Sequence, residues 1–110
     1  MTIAELIDAL EKASGPNFAL EQEIMTLLEP ERGQNKMLPA NYTSSLDAAV
    51  ALCGRVLPGA ELEMTNLYNV ARVAITHEDG TFYGSDECNR LPIALCLAIL
   101  KAKQALEVQG

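Results

Sequence analysis

Apolar residues recur every three or four positions through the first 28 residues, and this period is typical of amphipathic helices. It predicts one helix over residues 2–13 and a second over residues 17–28. The connection, Ser14-Gly15-Pro16, contains the two residue types that most often end a helix. Because this connection is short, we expect the two helices to form an antiparallel hairpin.

Residues 29–41 lack this period and contain two prolines and a glycine, which are residue types typical of loops. A connection of this kind runs over the surface of a protein. Loops of this length often carry function or move. We therefore predict a surface loop between the helical hairpin and the rest of the chain.

The helical period returns over residues 42–57, which predicts a third helix. Ser44 and Asp47 have the spacing of a capping box, so Ser44 is the predicted N-cap. Pro58-Gly59 follows directly and ends the helix.

The period then changes from about 3.6 to 2, and alternation of this kind predicts strands. Residues 60–64 alternate well, whereas residues 69–76 are rich in apolar residues but leave the register of a second strand open. Asp79-Gly80 is a strong hairpin signal. Residues 81–83 begin the third predicted strand.

The last predicted helix covers residues 91–106, and its first ten residues carry no charge. A helix that is apolar around most of its circumference is covered on most sides. Asn89 is its predicted N-cap, and Pro92 suits the first turn, where a missing N–H costs nothing. We therefore expect the rest of the chain to pack around this helix.

These elements predict a single domain of the α+β class over residues 1–110. Three helices precede a three-stranded antiparallel sheet, one helix follows it, and helices and sheet pack as an α-β-α sandwich. The domain divides into a helical hairpin at residues 1–28, the loop at residues 29–41 and an α-βββ-α core at residues 42–110.

The net charge of −7 is concentrated in the front of the chain, since residues 1–31 contain seven acids and one lysine, which gives −6. Such a surface repels nucleic-acid phosphates, so a nucleic-acid partner is not expected. Three interpretations of the acidic hairpin stay open: it keeps the protein soluble, it binds a basic protein partner, or it mimics nucleic acid. The acidic residues of the second interpretation are Asp8, Glu11, Glu21 and Glu23.

The three cysteines do not form a C-x-x-C pair, so no disulfide framework is indicated and a reducing cytoplasm is the expected location. Cys53 and Cys96 lie in apolar helical runs and are predicted core residues. Cys88 lies in a polar segment and is the predicted exposed thiol. No signal peptide or membrane span is expected, because residues 2–13 are charged and the final apolar run is too short.

No catalytic, metal-binding or cofactor motif is recognisable, so no enzyme activity and no cofactor are predicted. His77, the single histidine, falls in the predicted hairpin turn, where we expect an exposed polar residue. A cation site at the acidic residues around Asp79 and Asp86 is the weaker alternative to a charged hairpin.

The polar segments before the third and fourth helices are the best candidate ligand site, because exposed N–H groups at helix N-termini favour anions and an arginine adds a fork of donors. The alternative is that Ser44 and Asn89 only cap their helices, which explains them without a ligand. The candidate residues for a small anionic ligand, such as a nucleotide, are Tyr42, Thr43, Ser44, Ser45, Arg72, Asn89 and Arg90.

Three segments resemble the start, the central motif and the closing helix of small phage and prophage proteins of the phage α-β-α sandwich domain family. They are Glu5–Pro16 with Leu20–Ile24, Tyr42–Val50 with Leu57–Gly59, and Leu91–Ala102. The resemblance covers most of the chain. It implies the fold and a phage origin, and it implies no activity.

The leading hypothesis from sequence is a cytoplasmic, phage-encoded accessory protein that binds a host protein without catalysing a reaction. Blocking of a host defence factor is one form of this hypothesis. The alternative is a binder of a small anionic ligand. We also expect that the protein can form a homo-oligomer, because the apolar stripes of the helices present more surface than one small sheet covers.

Overall fold

The computed structural model describes the chain at residues 2–13, 15, 17–29, 41–68, 70–77, 80–87 and 90–109. The predicted class is confirmed: the described elements are four helices and one three-stranded antiparallel sheet, in the predicted order. The elements are α1 (Ile3–Lys12), α2 (Phe18–Leu28), α3 (Leu46–Val56), β1 (Glu61–Leu67), β2 (Val70–His77), β3 (Gly80–Glu87) and α4 (Leu91–Gln109). No helix in the described ranges is long and apolar enough to cross a membrane.

The helical hairpin forms as predicted. Thr2 and Glu5 make a capping box at the start of α1, and Asn17 caps α2 by accepting a hydrogen bond from the backbone N–H of Leu20. The apolar stripe of α1 is buried along its whole length. Its members are Ile3, Leu6, Ile7 and Leu10.

The third helix begins later than predicted, at Leu46 rather than Tyr42, and its N-cap is Ser45 rather than Ser44. Residues 42–44 form a turn, in which the backbone N–H of Ser45 donates to the carbonyl of Asn41 at 2.9 Å. The physical reason is burial: Tyr42 and Thr43 point into the core, so the chain turns there before the helix starts.

β1 and β3 are longer than predicted, because each pairs along its length with β2. β2 has its predicted length and is shifted by one residue. β1 continues to Leu67, and β3 includes residues 85–87, which sequence reasoning assigned to the polar connection before the last helix. His77 is the last residue of β2, where it is half-buried, and not an exposed turn residue. The predicted turn residues Glu78 and Asp79 and the predicted thiol Cys88 lie outside the described residues, as does most of the predicted 29–41 loop, residues 30–40.

The last helix, α4, is the centre of the molecule, as its uncharged run predicted. Residues 93–100 are all buried, and α4 contacts α1, α3, β2 and β3. Its approach to β3 is so close that a Cβ atom built on Gly84 lies 2.0 Å from the carbonyl oxygen of Ala94. Only a glycine allows the helix to sit this deeply on the strand.

The layers are therefore stacked in the order sheet, α4, then the other helices. The sheet residues that face α4 include Ala71, Val73 and Ile75, all of them buried. The opposite face of the sheet lies on the outside of the described structure rather than between two helical layers. By the strand register, the residues of this open face whose side chains the structure describes are Glu61, Glu63, Thr65, Val70, Arg72, Ala74, Thr76, Thr81, Tyr83 and Ser85.

Candidate functional site

The polar segment before α3, predicted to bind an anion, is part of the interior. Tyr42 and Thr43 are both buried. The Thr43 backbone N–H and hydroxyl donate to the carboxylate of Glu21 at 2.9 and 2.7 Å, and the Thr43 hydroxyl accepts from the backbone N–H of Asn17 at 3.0 Å. These donors are already satisfied within the protein, so they do not form a ligand site.

Tyr42 is held in the same way. Its hydroxyl donates to Glu29 at 2.9 Å, and Arg55 donates to the same carboxylate from Nε at 2.6 Å and from its terminal nitrogen at 2.9 Å. The hydrogen bond to Glu29 raises the pKa of Arg55. The Cys96 thiol donates to the Tyr42 carbonyl at 3.4 Å. The segment thus fastens α2 to α3 and α4.

The remaining residues of the predicted anion site do not converge. Ser45 caps α3, and the hydroxyl of Ser44 donates to the Asn41 carbonyl at 3.3 Å. Arg90 donates to the carbonyl of Ala13 at 3.4 Å, near the end of α1. Arg72 lies on the open face of the sheet, whereas Tyr42 contacts α4, which packs against the other face. Asn89 lies outside the described residues.

The predicted acidic surface is smaller than expected. Glu21 is buried rather than exposed, because its carboxylate accepts both hydrogen bonds from Thr43. Asp8 is exposed but pairs with Lys12 at 2.9 Å, and this hydrogen bond raises the pKa of Lys12. Glu11 is exposed and Glu23 partly exposed. Two acids without a described partner, Glu11 and Glu23, make a poor electrostatic footprint for a basic partner.

On the open face of the sheet, exposed tyrosine and arginine side chains lie close together, which the residues of the predicted anion site do not. The register aligns Thr65, Arg72 and Ser85 in one row across the three strands, and places Tyr83 in the next row. Tyr83 is 59% exposed. Tyrosine and arginine are the residue types that contribute most to protein interfaces, because each combines a large apolar surface with directional hydrogen bonds.

Tyr68 extends this face at the end of the β1–β2 hairpin. Leu67 pairs with Val70, so Tyr68 is the first residue of a two-residue connection, and its φ of 54° lies in the left-handed region. Such a position favours Asn, Asp or Gly, and a bulky residue there is strained. The side chain is 89% exposed, so the strain is not offset by burial in the described fold. Backbone strain of this kind is concentrated at functional positions.

A shallow cavity of about 330 Å³ lies beside the hairpin and is lined by Thr65, Tyr68, Val70 and Arg72. Arg72 makes no hydrogen bond or ion pair with any residue that the structure describes. Its guanidinium group therefore offers its planar set of donors to solvent, next to an aromatic ring and a valine. This is a geometry suited to a carboxylate or another planar anion.

Sequence reasoning identified Arg72 but missed Tyr68, Val70 and Tyr83. A signal was present: in β2, the buried residues Ala71, Val73 and Ile75 alternate with Val70, Arg72 and Ala74. The alternation was obscured because apolar residues stand on both faces. Among the described residues, no group of three or more His, Cys, Asp and Glu side chains is arranged to hold a metal ion.

The chain matches no model of a known protein family, and searches among curated proteins and among solved structures found no match either.

Proposed function

We propose that this chain is a protein-binding module that docks a partner protein through the open face of its sheet and catalyses no reaction. The observation that carries the proposal is the grouping of Tyr68, Val70, Arg72 and Tyr83 on one outer surface. Sheet faces that point to water usually carry polar residues. Two exposed tyrosines, a valine and an arginine that pairs with no described residue instead favour contact with another protein.

The family resemblance in the sequence adds two expectations to this proposal. The protein is phage-encoded, and the partner is a host protein whose action it blocks, with a defence factor as one such target. These expectations concern the identity of the partner. The proposed docking surface does not depend on them.

The test is affinity capture from host lysate with four baits: the wild-type protein, a Tyr68→Ser/Tyr83→Ser variant, a Phe18→Ser variant, and a Glu11→Lys/Glu23→Lys variant. Phe18 is the matched aromatic control, since it is 75% exposed at the start of α2 and lies outside the sheet. We expect a protein captured by the wild type to be retained by the Phe18 and acidic-surface variants and lost by the tyrosine variant. Its affinity is then measured with purified protein by calorimetry.

Three results distinguish the interpretations. Equal capture by all four baits contradicts docking on the open face. Selective loss with the Glu11→Lys/Glu23→Lys variant supports the acidic surface of the hairpin instead. Loss with Phe18→Ser as well as with the tyrosine variant indicates non-specific aromatic adhesion.

A small anionic ligand is the second candidate function, and the observation that favours it is that Arg72, which pairs with no described residue, lies beside the cavity. Binding of this kind raises thermal stability, by about 2.7 kcal/mol at a ligand concentration one hundred times the Kd. The measurement is the Tm of the wild type and of Arg72→Gln with a panel of nucleotides and carboxylic acids. A Tm shift that Arg72→Gln abolishes supports this candidate.

A further inference from the structure

We propose that the open face receives a short segment of the partner protein, in which a carboxylate pairs with Arg72 and a basic side chain pairs with Glu61 or Glu63. This inference rests on the proposed function and specifies the chemistry of what docks there. It follows from the size of the face, from its charges and from the side chains around Arg72.

The face is small. The longest strands have eight residues, which corresponds to about 26 Å at ~3.3 Å per residue, and three strands spaced ~4.8 Å apart are about 10–15 Å wide. A stable interface between folded proteins buries about 800 Å² on each partner. The face offers about a third to a half of this as a flat area, whereas one extended segment of about eight residues matches its length.

A second copy of the chain is a poor occupant for the same reason. The area is below what a stable dimer needs, and two copies of a chain with a net charge of −7 repel each other. Tyrosine and valine side chains on a small surface are better suited to a segment that inserts its side chains between them.

The face carries charges of both signs, so an acidic and a basic side chain of such a segment each find an opposite charge. Arg72 is the cation of the face and has no partner in the described ranges, while Glu61 and Glu63 lie on the neighbouring strand β1, with exposed side chains. Arginine binds a carboxylate through two parallel hydrogen bonds. An acidic side chain over β2 and a basic one over β1 therefore complement Arg72 and these two glutamates.

The side chains around Arg72 indicate which residues should flank the carboxylate in the partner segment. Tyr68 and Val70 line the cavity on the hairpin side of Arg72. Tyr83 lies on β3, diagonal to Arg72 on the same face, within reach of long side chains. Apolar residues on either side of the acidic residue would cover these rings, exclude water and strengthen the charge pair.

The experiment uses the complete chain as bait for a displayed random library of peptides of about twelve residues, longer than the strands of the face. The library is first depleted on the support without bait. An enriched peptide is synthesised, and its Kd is measured by fluorescence polarisation against the wild type, Arg72→Gln, Arg72→Lys, Glu61→Gln/Glu63→Gln, Tyr68→Ser/Tyr83→Ser and Lys12→Gln. Lys12→Gln is the matched control, because it removes one exposed cation from α1, away from the sheet. Circular dichroism verifies that each variant is folded.

We expect enriched peptides to share an acidic residue with apolar neighbours and a basic residue nearby. Arg72→Gln should weaken binding about tenfold or more, Arg72→Lys less, and Lys12→Gln by no more than about twofold, since only the arginine fork matches a carboxylate with two hydrogen bonds. When the acidic residue of the peptide is replaced by its amide, the affinity of the wild type should fall by the same factor as with Arg72→Gln. The affinity of Arg72→Gln itself should not fall further.

The inference fails if Arg72→Gln binds as tightly as the wild type while the tyrosine variant does not bind, and the proposed function then stands with a different partner chemistry. It also fails if no peptide is enriched, because a short segment is then insufficient. If the tyrosine variant binds the wild-type peptides unchanged, the proposed docking surface itself is wrong.

Discussion

The carboxylate of Glu21 accepts two hydrogen bonds from Thr43, one from the backbone N–H at 2.9 Å and one from the hydroxyl at 2.7 Å. Both residues are interior, with Glu21 6% and Thr43 2% exposed. A buried carboxylate is tolerated only when donors satisfy it, because removing a charge from water is costly. This pair therefore joins α2 to the segment before α3, and it explains why an acidic residue of the hairpin is absent from its surface.

Reversing the charge of Glu21 should unfold the protein rather than remove a binding surface. Glu21→Lys leaves a buried cation beside donors, so we expect a loss of about 3 kcal/mol or more in the free energy of unfolding. Glu23→Lys, on the same helix but partly exposed, should change it by no more than about 0.5 kcal/mol. Urea denaturation of both variants measures the difference. Equal stability of the two variants contradicts the structural role of Glu21.

Replacing Gly84 and Gly54 by alanine should change the stability of the protein in opposite directions. A Cβ on Gly84 clashes with the backbone of α4, so Gly84→Ala should destabilise the protein by about 1–3 kcal/mol. Gly54 lies within α3 with no atom near its would-be Cβ, so Gly54→Ala should stabilise it by roughly 0.5–1 kcal/mol through helix propensity. Thermal melts of both variants provide the test. A stable Gly84→Ala protein would mean that α4 does not approach β3 this closely.

The Glu29–Arg55 pair should contribute a measurable coupling energy. Its two hydrogen bonds have the bidentate geometry that gives arginine pairs their strength, and the Glu29 side chain is largely shielded from water. We expect about 1 kcal/mol of coupling in a double-mutant cycle with Glu29→Gln and Arg55→Gln. The exposed Asp8–Lys12 pair provides the comparison, and its coupling should be smaller. Additive effects of the two substitutions would show that the contact adds nothing to stability.

Alkaline pH should destabilise the fold through Cys96. Burial, and the charge of Glu21 less strongly, raise the pKa of this thiol above that of an unfolded chain. The folded state then keeps its proton where the unfolded state loses it, so stability is complete below about pH 8.5 and falls as the pH rises further. Between pH 8 and pH 10 the wild type should lose about 2 kcal/mol more than Cys96→Ala. Urea midpoints at the two pH values measure this loss. Parallel pH profiles would indicate that Cys96 titrates normally in the folded protein.

Tyr68→Asn should stabilise the protein while weakening binding of its partner. Asparagine tolerates the positive φ of this position, so we expect a gain of about 0.5–1 kcal/mol in unfolding free energy. Tyr83→Asn, within β3, should instead lower stability, because asparagine is a poor strand residue. Both variants should lose affinity for the captured partner. A loss of stability with Tyr68→Asn would mean that the ring supports the fold itself.

Most of the architecture could be predicted from the sequence, because local patterns encode it. The apolar stripe of α1, its capping box, the uncharged run of α4 and the Asp-Gly hairpin signal each act over a few residues. The burial of Cys53 and Cys96 followed in the same way from their apolar surroundings, and the structure confirms it.

The candidate site could not be predicted in this way. The polar run before α3 has the composition of a helix N-terminus, and nothing within it reveals that Thr43 meets Glu21 or that Tyr42 meets Glu29. These partners are 22 and 13 positions apart in the chain. In the sequence, polar side chains whose partners lie this far away along the chain cannot be distinguished from polar side chains that are free to bind a ligand.

By itself, then, the sequence determined the helices, the strands and the central place of the last helix, because periodicity and capping depend on neighbours in the chain. The tertiary structure decided which polar residues are buried and which face of the sheet is open. It did so because α4 packs against one side of β2 and β3, at Gly84, and leaves Tyr68, Arg72 and Tyr83 together on the other side. Which face of the sheet a helix covers depends on the complementarity of two whole surfaces. Their residues come from distant parts of the chain, so no single segment of the sequence predicts it.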